Sequence, residues 1–117
     1  MALTITPGSN HGSLNGTTPV TLVSAPGAGV QRSVRSIRFA NIDTAAVTIR
    51  VRKTVAGTPY EWDSITGLVV DGKFWPLSGS DVLNLTATDQ SLTALMAGAP
   101  ATTNPSFEAS YIDYQVT

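Results

Sequence analysis

The stretch SVRSIRFANIDTAAVTIRVRKT, residues 33–54, decides the fold class of this chain. Its apolar side chains recur at every second position, at Ile37, Phe39, Val47, Ile49 and Val51. A period of two is typical of β-strands that bury one face. We therefore predict strands at 33–41 and 46–54, joined through 42–45 as an antiparallel hairpin with its apolar side on the core.

Short runs of the same kind continue on both sides of this unit. Val, Thr and Leu recur within them, and Gly, Pro, Asn and Asp interrupt them at short intervals. Asp71-Gly72 predicts a type I′ turn that closes a second hairpin over 67–77, because both central residues of that turn need positive φ. A turn is also predicted at 78–81, and 90–97 is predicted to be a strand from its β context.

These elements predict an all-β protein, a single antiparallel β-sandwich or jelly-roll-like domain of about eight short strands. Residues 1–16 are predicted to form an N-terminal arm and loop, because 10–16 is rich in Gly, Asn and Ser. The sandwich domain is predicted to occupy residues 17–117.

The composition suits a protein that is packed among neighbours. Charged residues make up 13% of the 117-residue chain, against about 25% in an ordinary globular protein. Six of the seven basic residues lie at 32–53, and seven of the eight acids follow position 60. This segregation leaves two interpretations open: contacts between copies of the chain, or neutralisation within one fold.

Residues suited to catalysis or metal binding are sparse. His11 is the only histidine, no cysteine is present, and the carboxylates are scattered singly, which disfavours nucleophilic catalysis and metal sites. The sequence shows no secretory signal pattern and no apolar run of the ~18–20 residues that cross a membrane. We predict a protein without enzymatic activity, cofactor, metal or membrane contact. Trp62 and Trp75 leave a carbohydrate-binding interpretation open, beside a role with Phe74 in capping the core.

Three surfaces are candidates for holding a partner. Arg38, Arg50 and Arg52 are expected on one sheet face, where they would bind a partner's carboxylates; the pI of about 5.6 disfavours nucleic acid. The alternative is a solvated face with ion pairs inside the chain. The last strand is apolar on its second face as well, and the arm is expected to add a strand to a partner's sheet. The apolar candidates are Leu3 and Ile5 in the arm and Ile112, Tyr114 and Val116 in the last strand.

Three parts of the chain carry a resemblance to a known family. They are VRSIRFAN at 34–41 with AVTIRV at 46–51, SDVLNL at 80–85 with SLTAL at 91–95, and FEASYIDY at 107–114. In this pattern of short strands and small residues, the chain resembles the accessory virion proteins of tailed bacteriophages, most of all the capsid decoration (cement) proteins.

The resemblance implies a non-enzymatic virion structural protein that binds the outside of a phage capsid and bridges capsid subunits. Its implied partners are the major capsid protein or other virion proteins, and its implied form is a homo-oligomer on the capsid surface, expected to be a trimer. A tail or head–tail connector subunit is an alternative, and a small carbohydrate-binding β-sandwich module is another. The family has no catalytic residues to transfer to this chain. The resemblance also implies that the protein is made in the host cytoplasm.

Overall fold

The computed structural model describes residues 2–77 and 82–116, and all of its regular elements are β-strands. The predicted turn at 78–81 lies outside the described residues. In chain order the strands are β1 (Leu3–Ser13), β2 (Val20–Val23), β3 (Val30–Ala40), β4 (Val47–Val55), β5 (Thr58–Leu68), β6 (Lys73–Leu77), β7 (Leu83–Leu85), β8 (Gln90–Met96) and β9 (Ser106–Val116).

The strands form two antiparallel sheets that pack face to face. Sheet A has the order β1-β9-β3-β6, with β7 also paired to β3, and sheet B has the order β2-β8-β4-β5. Strands from the two ends of the chain therefore lie side by side, β1 with β9 and β2 with β8, in the nested order of a jelly roll. The prediction of an all-β sandwich is confirmed.

The core lies between the sheets and follows the predicted alternation. The apolar residues of 33–54 that were predicted to share a buried face are all buried. In β3, Val34 and Ile37 are both fully buried although they are three positions apart, an odd spacing that would place them on opposite faces of a regular strand. The register of β3 against β9 shifts between Val34 and Ser36, so Arg35 is the extra residue of a β-bulge that returns the following side chains to the core.

The predicted hairpin at 33–54 is wrong, because β3 belongs to sheet A and β4 to sheet B. The chain crosses the core between them. The alternation is the same whether two successive strands pair edge to edge or face each other across a core, so the pattern could not distinguish the two arrangements.

Two buried polar side chains, Asn41 and Asp43, stabilise this crossing. The Asn41 amide donates from Nδ2 to the carbonyl oxygens of Ala45, Leu68 and Val69 at 3.0, 2.9 and 3.1 Å. Its Oδ1 accepts the backbone N–H of Asp43 at 2.9 Å. We call this group the polar corner. It consists of Asn41, Asp43 and the segments to which their side chains are hydrogen-bonded.

Asp43 extends the polar corner to the loop before β9. Its carboxylate accepts backbone N–H groups at 2.8 to 3.1 Å, from Thr44, Ala101, Thr102 and Thr103. Burial of the carboxylate acts to raise the pKa of Asp43, but the N–H donors together outweigh burial and hold this pKa well below its usual range. The side chain is therefore a carboxylate that binds two separate segments of the chain.

The second predicted hairpin, 67–77, is also a crossing between the sheets, because β5 lies in sheet B and β6 in sheet A. Gly72 donates its N–H to the Val69 carbonyl at 2.9 Å, and Asp71, with φ of 62°, occupies the third position of that turn, as in a type II turn. The type I′ geometry is found between β4 and β5, where Ala56 and Gly57 have φ of 52° and 82°.

The predicted loop at 10–16 is strand as far as Ser13, because β1 pairs with β9 along its whole length. Small polar residues are tolerated there since β1 is an edge strand with few core contacts. Gly8 allows close packing of Tyr111: a Cβ at this position would lie 2.4 Å from Cε2 of that ring, so the ring would have to shift. The predicted domain boundary at residue 16 stays a prediction.

Candidate functional site

The outer face of sheet A carries an apolar patch at one end. Residues directly opposite each other in an antiparallel pair share a face, and Phe107 and Ala109 of β9 face the core. The even-numbered residues of β9 and their partners in β1 therefore point outward. At the end of the sheet these are the pairs Leu3–Val116, Ile5–Tyr114 and Pro7–Ile112.

We name these six residues the apolar strip. Leu3, Ile5 and Val116 are 58%, 57% and 58% exposed. Five of the six are the apolar candidates from the sequence, which named them in two separate segments without placing them together. Pro7 was missed, although it continues the two-residue spacing of Leu3 and Ile5.

Side-chain contacts join β3 to β9 beside the strip. The Tyr114 hydroxyl accepts a hydrogen bond of 2.7 Å from Nη2 of Arg35, the bulge residue. On the inner face, the Arg32 guanidinium donates to both carboxylate oxygens of Asp113 at 2.8 and 3.0 Å and lies 4.2 Å from the centre of the Tyr111 ring. The hydrogen bond to Asp113 raises the pKa of Arg32 and so favours the protonated guanidinium.

The three candidate arginines do not form one cluster. Arg38 lies on β3 in sheet A, whereas Arg50 and Arg52 lie on β4 in sheet B. Their side chains alternate with buried neighbours, so the two groups point out of opposite faces of the sandwich. The single arginine face predicted from the sequence is wrong for the same reason as the hairpin: the chain crosses the core between them.

The segregated charges pair within the fold. Three ion pairs each join an arginine at 32–53 to an acid after position 60: Arg32–Asp113 at 2.8 Å, Arg38–Glu108 at 3.5 Å and Arg50–Glu61 at 3.2 Å. Neutralisation within one fold, one of the two interpretations open from the sequence, is confirmed for these pairs. The two exposed pairs, those of Arg38 and Arg50, contribute about 0–1 kcal/mol each.

The centre of the same outer face is polar and shallow. A groove of about 250 Å³ runs over Ser9, Ser36 and Ser110, and the hydroxyls of Ser36 and Ser110 are 2.6 Å apart. His11 and Glu108, opposite each other in register, border the groove. The Ser36 hydroxyl is paired with the Ser110 hydroxyl, which is not a base that could activate it.

The aromatic residues divide between core and surface. Trp62 and Phe74 pack against the core, and Phe74 stacks on Phe39 with ring centres 5.9 Å apart. Trp75 is 51% exposed, and Cζ of Arg38 lies 5.7 Å from its ring centre. The predicted capping role therefore fits Trp62 and Phe74 and does not fit Trp75.

Within residues 2–77 and 82–116, no three His, Cys, Asp or Glu side chains are grouped so that they could hold a metal ion. The same residues include no helix long and apolar enough to cross a membrane.

Comparison with known proteins gives similarity in fold. No protein-family model matches the chain, and no curated protein matches it in sequence. A chain from Bacillus endospore appendages, described as a family of disulfide-linked pili, superposes with a TM-score of 0.50 at 14% identity, covering 98% of this chain and 89% of that chain. The present chain has no cysteine and cannot share such a linkage.

Two viral structures are also similar to this chain. A chain of the cyanophage Pam1 capsid asymmetric unit has a TM-score of 0.48 at 16% identity, covering 97% of this chain and 85% of that chain. A chain of infectious bursal disease virus, Gt strain, has a TM-score of 0.41 at 11% identity, covering 97% of this chain and 33% of that chain. The likeness to the appendage chain supports the two-sheet fold.

Proposed function

We propose that this chain is a non-enzymatic structural protein of a virion, which binds the outside of a phage capsid and stabilises the shell by bridging capsid subunits. The apolar strip carries this proposal. Contiguous apolar patches on an otherwise polar surface mark sites where proteins bind one another. This patch combines exposed Leu, Ile and Val side chains with a backbone held by two ladders, those of β1–β9 and β9–β3.

The chemistry of the strip defines the partner surface. The strip has no charged residue, and Arg38 and Glu108 on the same face are already paired with each other. The complementary surface on a capsid subunit is therefore apolar, and attachment through the strip should depend weakly on salt.

Bridging requires contacts on more than one side, and the two groups of candidate residues supply them. The strip lies on the outer face of sheet A, whereas Arg50 and Arg52 lie on the outer face of sheet B. A copy held between two capsid subunits would contact one through apolar side chains and the other through arginines. Binding the assembled shell and not its free subunits stabilises the shell by mass action.

A binding assay with empty expanded shells of the encoding phage, read out by mass per particle, tests the proposal. Leu3→Ser with Ile5→Ser should weaken attachment about thirtyfold, since about 1 kcal/mol is lost for each half-exposed side chain that becomes buried. Val69→Ser is the matched control, because Val69 is 65% exposed and lies outside the strip. Equal binding by the double variant and the wild type would exclude the strip as the attachment surface.

Substitution is a sharper test than deletion of residues 2–16, because that deletion removes β1 from sheet A.

For the arginine surface, Arg50→Glu with Arg52→Glu should weaken attachment and reduce its sensitivity to salt. Unchanged binding would make these arginines part of a solvated face. Particle images distinguish a copy that covers a lattice from one that forms a ring, as a tail or connector subunit would.

Carbohydrate binding is the second candidate function, and the exposure of Trp75 favours it. The Trp75 ring lies on the surface beside Arg38, where a sugar ring can stack on an indole and a guanidinium can donate hydrogen bonds. Titration of simple sugars should then change the fluorescence of wild type and Trp62→Phe, but not of Trp75→Phe. No change with any sugar for the wild type removes this candidate.

A further inference from the structure

The open edge of sheet A is formed by the backbone of β1. Leu14, which follows β1 directly, donates its N–H to the Pro105 carbonyl at 2.9 Å, on the β9 side. Backbone direction alternates along a strand, so even-numbered residues of β1 bond to β9 and odd-numbered residues point their N–H and C=O groups to the open edge. Pro7, which has no N–H, is odd-numbered, and proline is tolerated in a strand where its nitrogen faces such an edge.

This edge lacks most of the features that prevent strand pairing. The sequence of β1, LTITPGSNHGS, contains no Lys, Arg, Asp or Glu, and its register with β9 is unbroken over eleven residues. Charges, bulges and short length are the usual protections of an edge strand. Only Pro7 removes a donor from this one.

The other described edge strands are short or irregular. β2 has four residues, β7 has three, and β6 has five including Pro76. β5 has eleven residues, but its register shifts twice and it carries Glu61 and Asp63. The open edge of β1 is long and uncharged. Among the edge strands that the structure describes, the one that matches it in length and lack of charge is β1 of another copy.

We propose that β1 of a second copy of this chain occupies the edge, antiparallel, so that sheet A continues across a two-fold axis. Full overlap of the two β1 strands places Leu3 opposite Ser13, Ile5 opposite His11 and Pro7 opposite Ser9, with Gly8 at the axis. Odd-numbered residues then meet odd-numbered residues, so edge donors face edge acceptors. Each copy supplies five N–H donors, from Leu3, Ile5, Ser9, His11 and Ser13.

The pairing has a consequence for the attachment proposed above, and this step rests on that proposal. Opposite residues in an antiparallel pair share a face, so the two apolar strips of the dimer point in the same direction on one continuous sheet. Attachment through one strip then raises the effective concentration of the other at the shell. A dimer would attach to a shell more tightly than a single copy.

Sedimentation of the purified chain over a range of concentrations tests the pairing without any capsid. The wild type should form dimers. Ser9→Pro with His11→Pro should weaken dimerisation at least about a hundredfold, because it removes two edge donors per copy and leaves the ladder to β9 intact. Ser9→Ala with His11→Ala keeps the N–H groups and should dimerise like the wild type.

Cysteine cross-linking tests the register and does not depend on the proline variant folding. Ile5→Cys with His11→Cys should give a covalent dimer on oxidation, since these positions oppose each other across the axis. Either single variant should not, because equivalent positions lie about 20 Å apart. A monomeric wild type, an odd-numbered assembly such as the trimer that the resemblance implies, or equal cross-linking by the single variants would overturn the proposal.

Discussion

Replacement of Asn41 by alanine is expected to be the most destabilising single amide deletion in the described part of this protein. The side chain is fully buried and makes four hydrogen bonds with backbone groups of two segments, 43–45 and 68–69. Each bond contributes about 0.5–1.5 kcal/mol net, and buried carbonyls left without a donor add to the loss. The expected change in the free energy of unfolding is about 3 kcal/mol, or a fall in Tm of roughly 10–15 °C.

Asn104→Ala is the matched control for this prediction. Asn104 is half-buried, and its Oδ1 accepts one hydrogen bond of 2.8 Å, from the Gly16 N–H. The control should lose about 1 kcal/mol. Urea unfolding followed by fluorescence of the core-packed Trp62 measures both variants. If Asn41→Ala loses no more than Asn104→Ala, the polar corner does not stabilise the crossings between the sheets, and the argument from its hydrogen bonds is refuted.

Three further predictions concern single positions. The pKa of Asp43 in the folded protein lies below the unfolded value of about 3.9, so the carboxylate adds stability above that pH. Between pH 6 and pH 3 the free energy of unfolding, measured in urea, should therefore fall further for the wild type than for Asp43→Asn. Equal falls would contradict this. Gly8→Ala should lower the free energy of unfolding by about 1–3 kcal/mol, because the new Cβ clashes with Tyr111. Gly27→Ala is the control and should change Tm little, because nothing lies within 4 Å of its Cβ. Similar Tm values for the two variants would argue against the clash. Ala56→Gly should raise stability by up to about 1 kcal/mol, since alanine at φ of 52° is strained; calorimetry that shows a loss would contradict the strain argument.

The sequence predicted the faces of the strands better than their neighbours. The alternation at Val47, Ile49 and Val51 depends only on which side of a strand is buried, and the structure confirms that face. Pairing depends on the path of the chain between strands. The first crossing is stabilised by Asn41 and Asp43. Each has partners about 30 or 60 positions further along the chain, which no local pattern could reveal.

The candidate surfaces show the same division. The sequence could identify the apolar candidates one by one as residues on strand faces, namely Leu3, Ile5, Ile112, Tyr114 and Val116. That they lie side by side follows only from the register of β1 against β9. The predicted arginine cluster does not form. Arg38 and Arg50 are close in sequence but lie on opposite sides of the core.

The pairing of β1 with β9 determines when the apolar strip can exist during synthesis. One half of the strip comes from the first strand and the other half from the last. Contacts between β1 and β9 form late, both because β9 is synthesised after the other strands and because closing so long a loop is slow. A chain that stops before β9 has neither the strip nor a partner for β1. Attachment through the strip would therefore select folded copies that contain β9 over copies that stop before it.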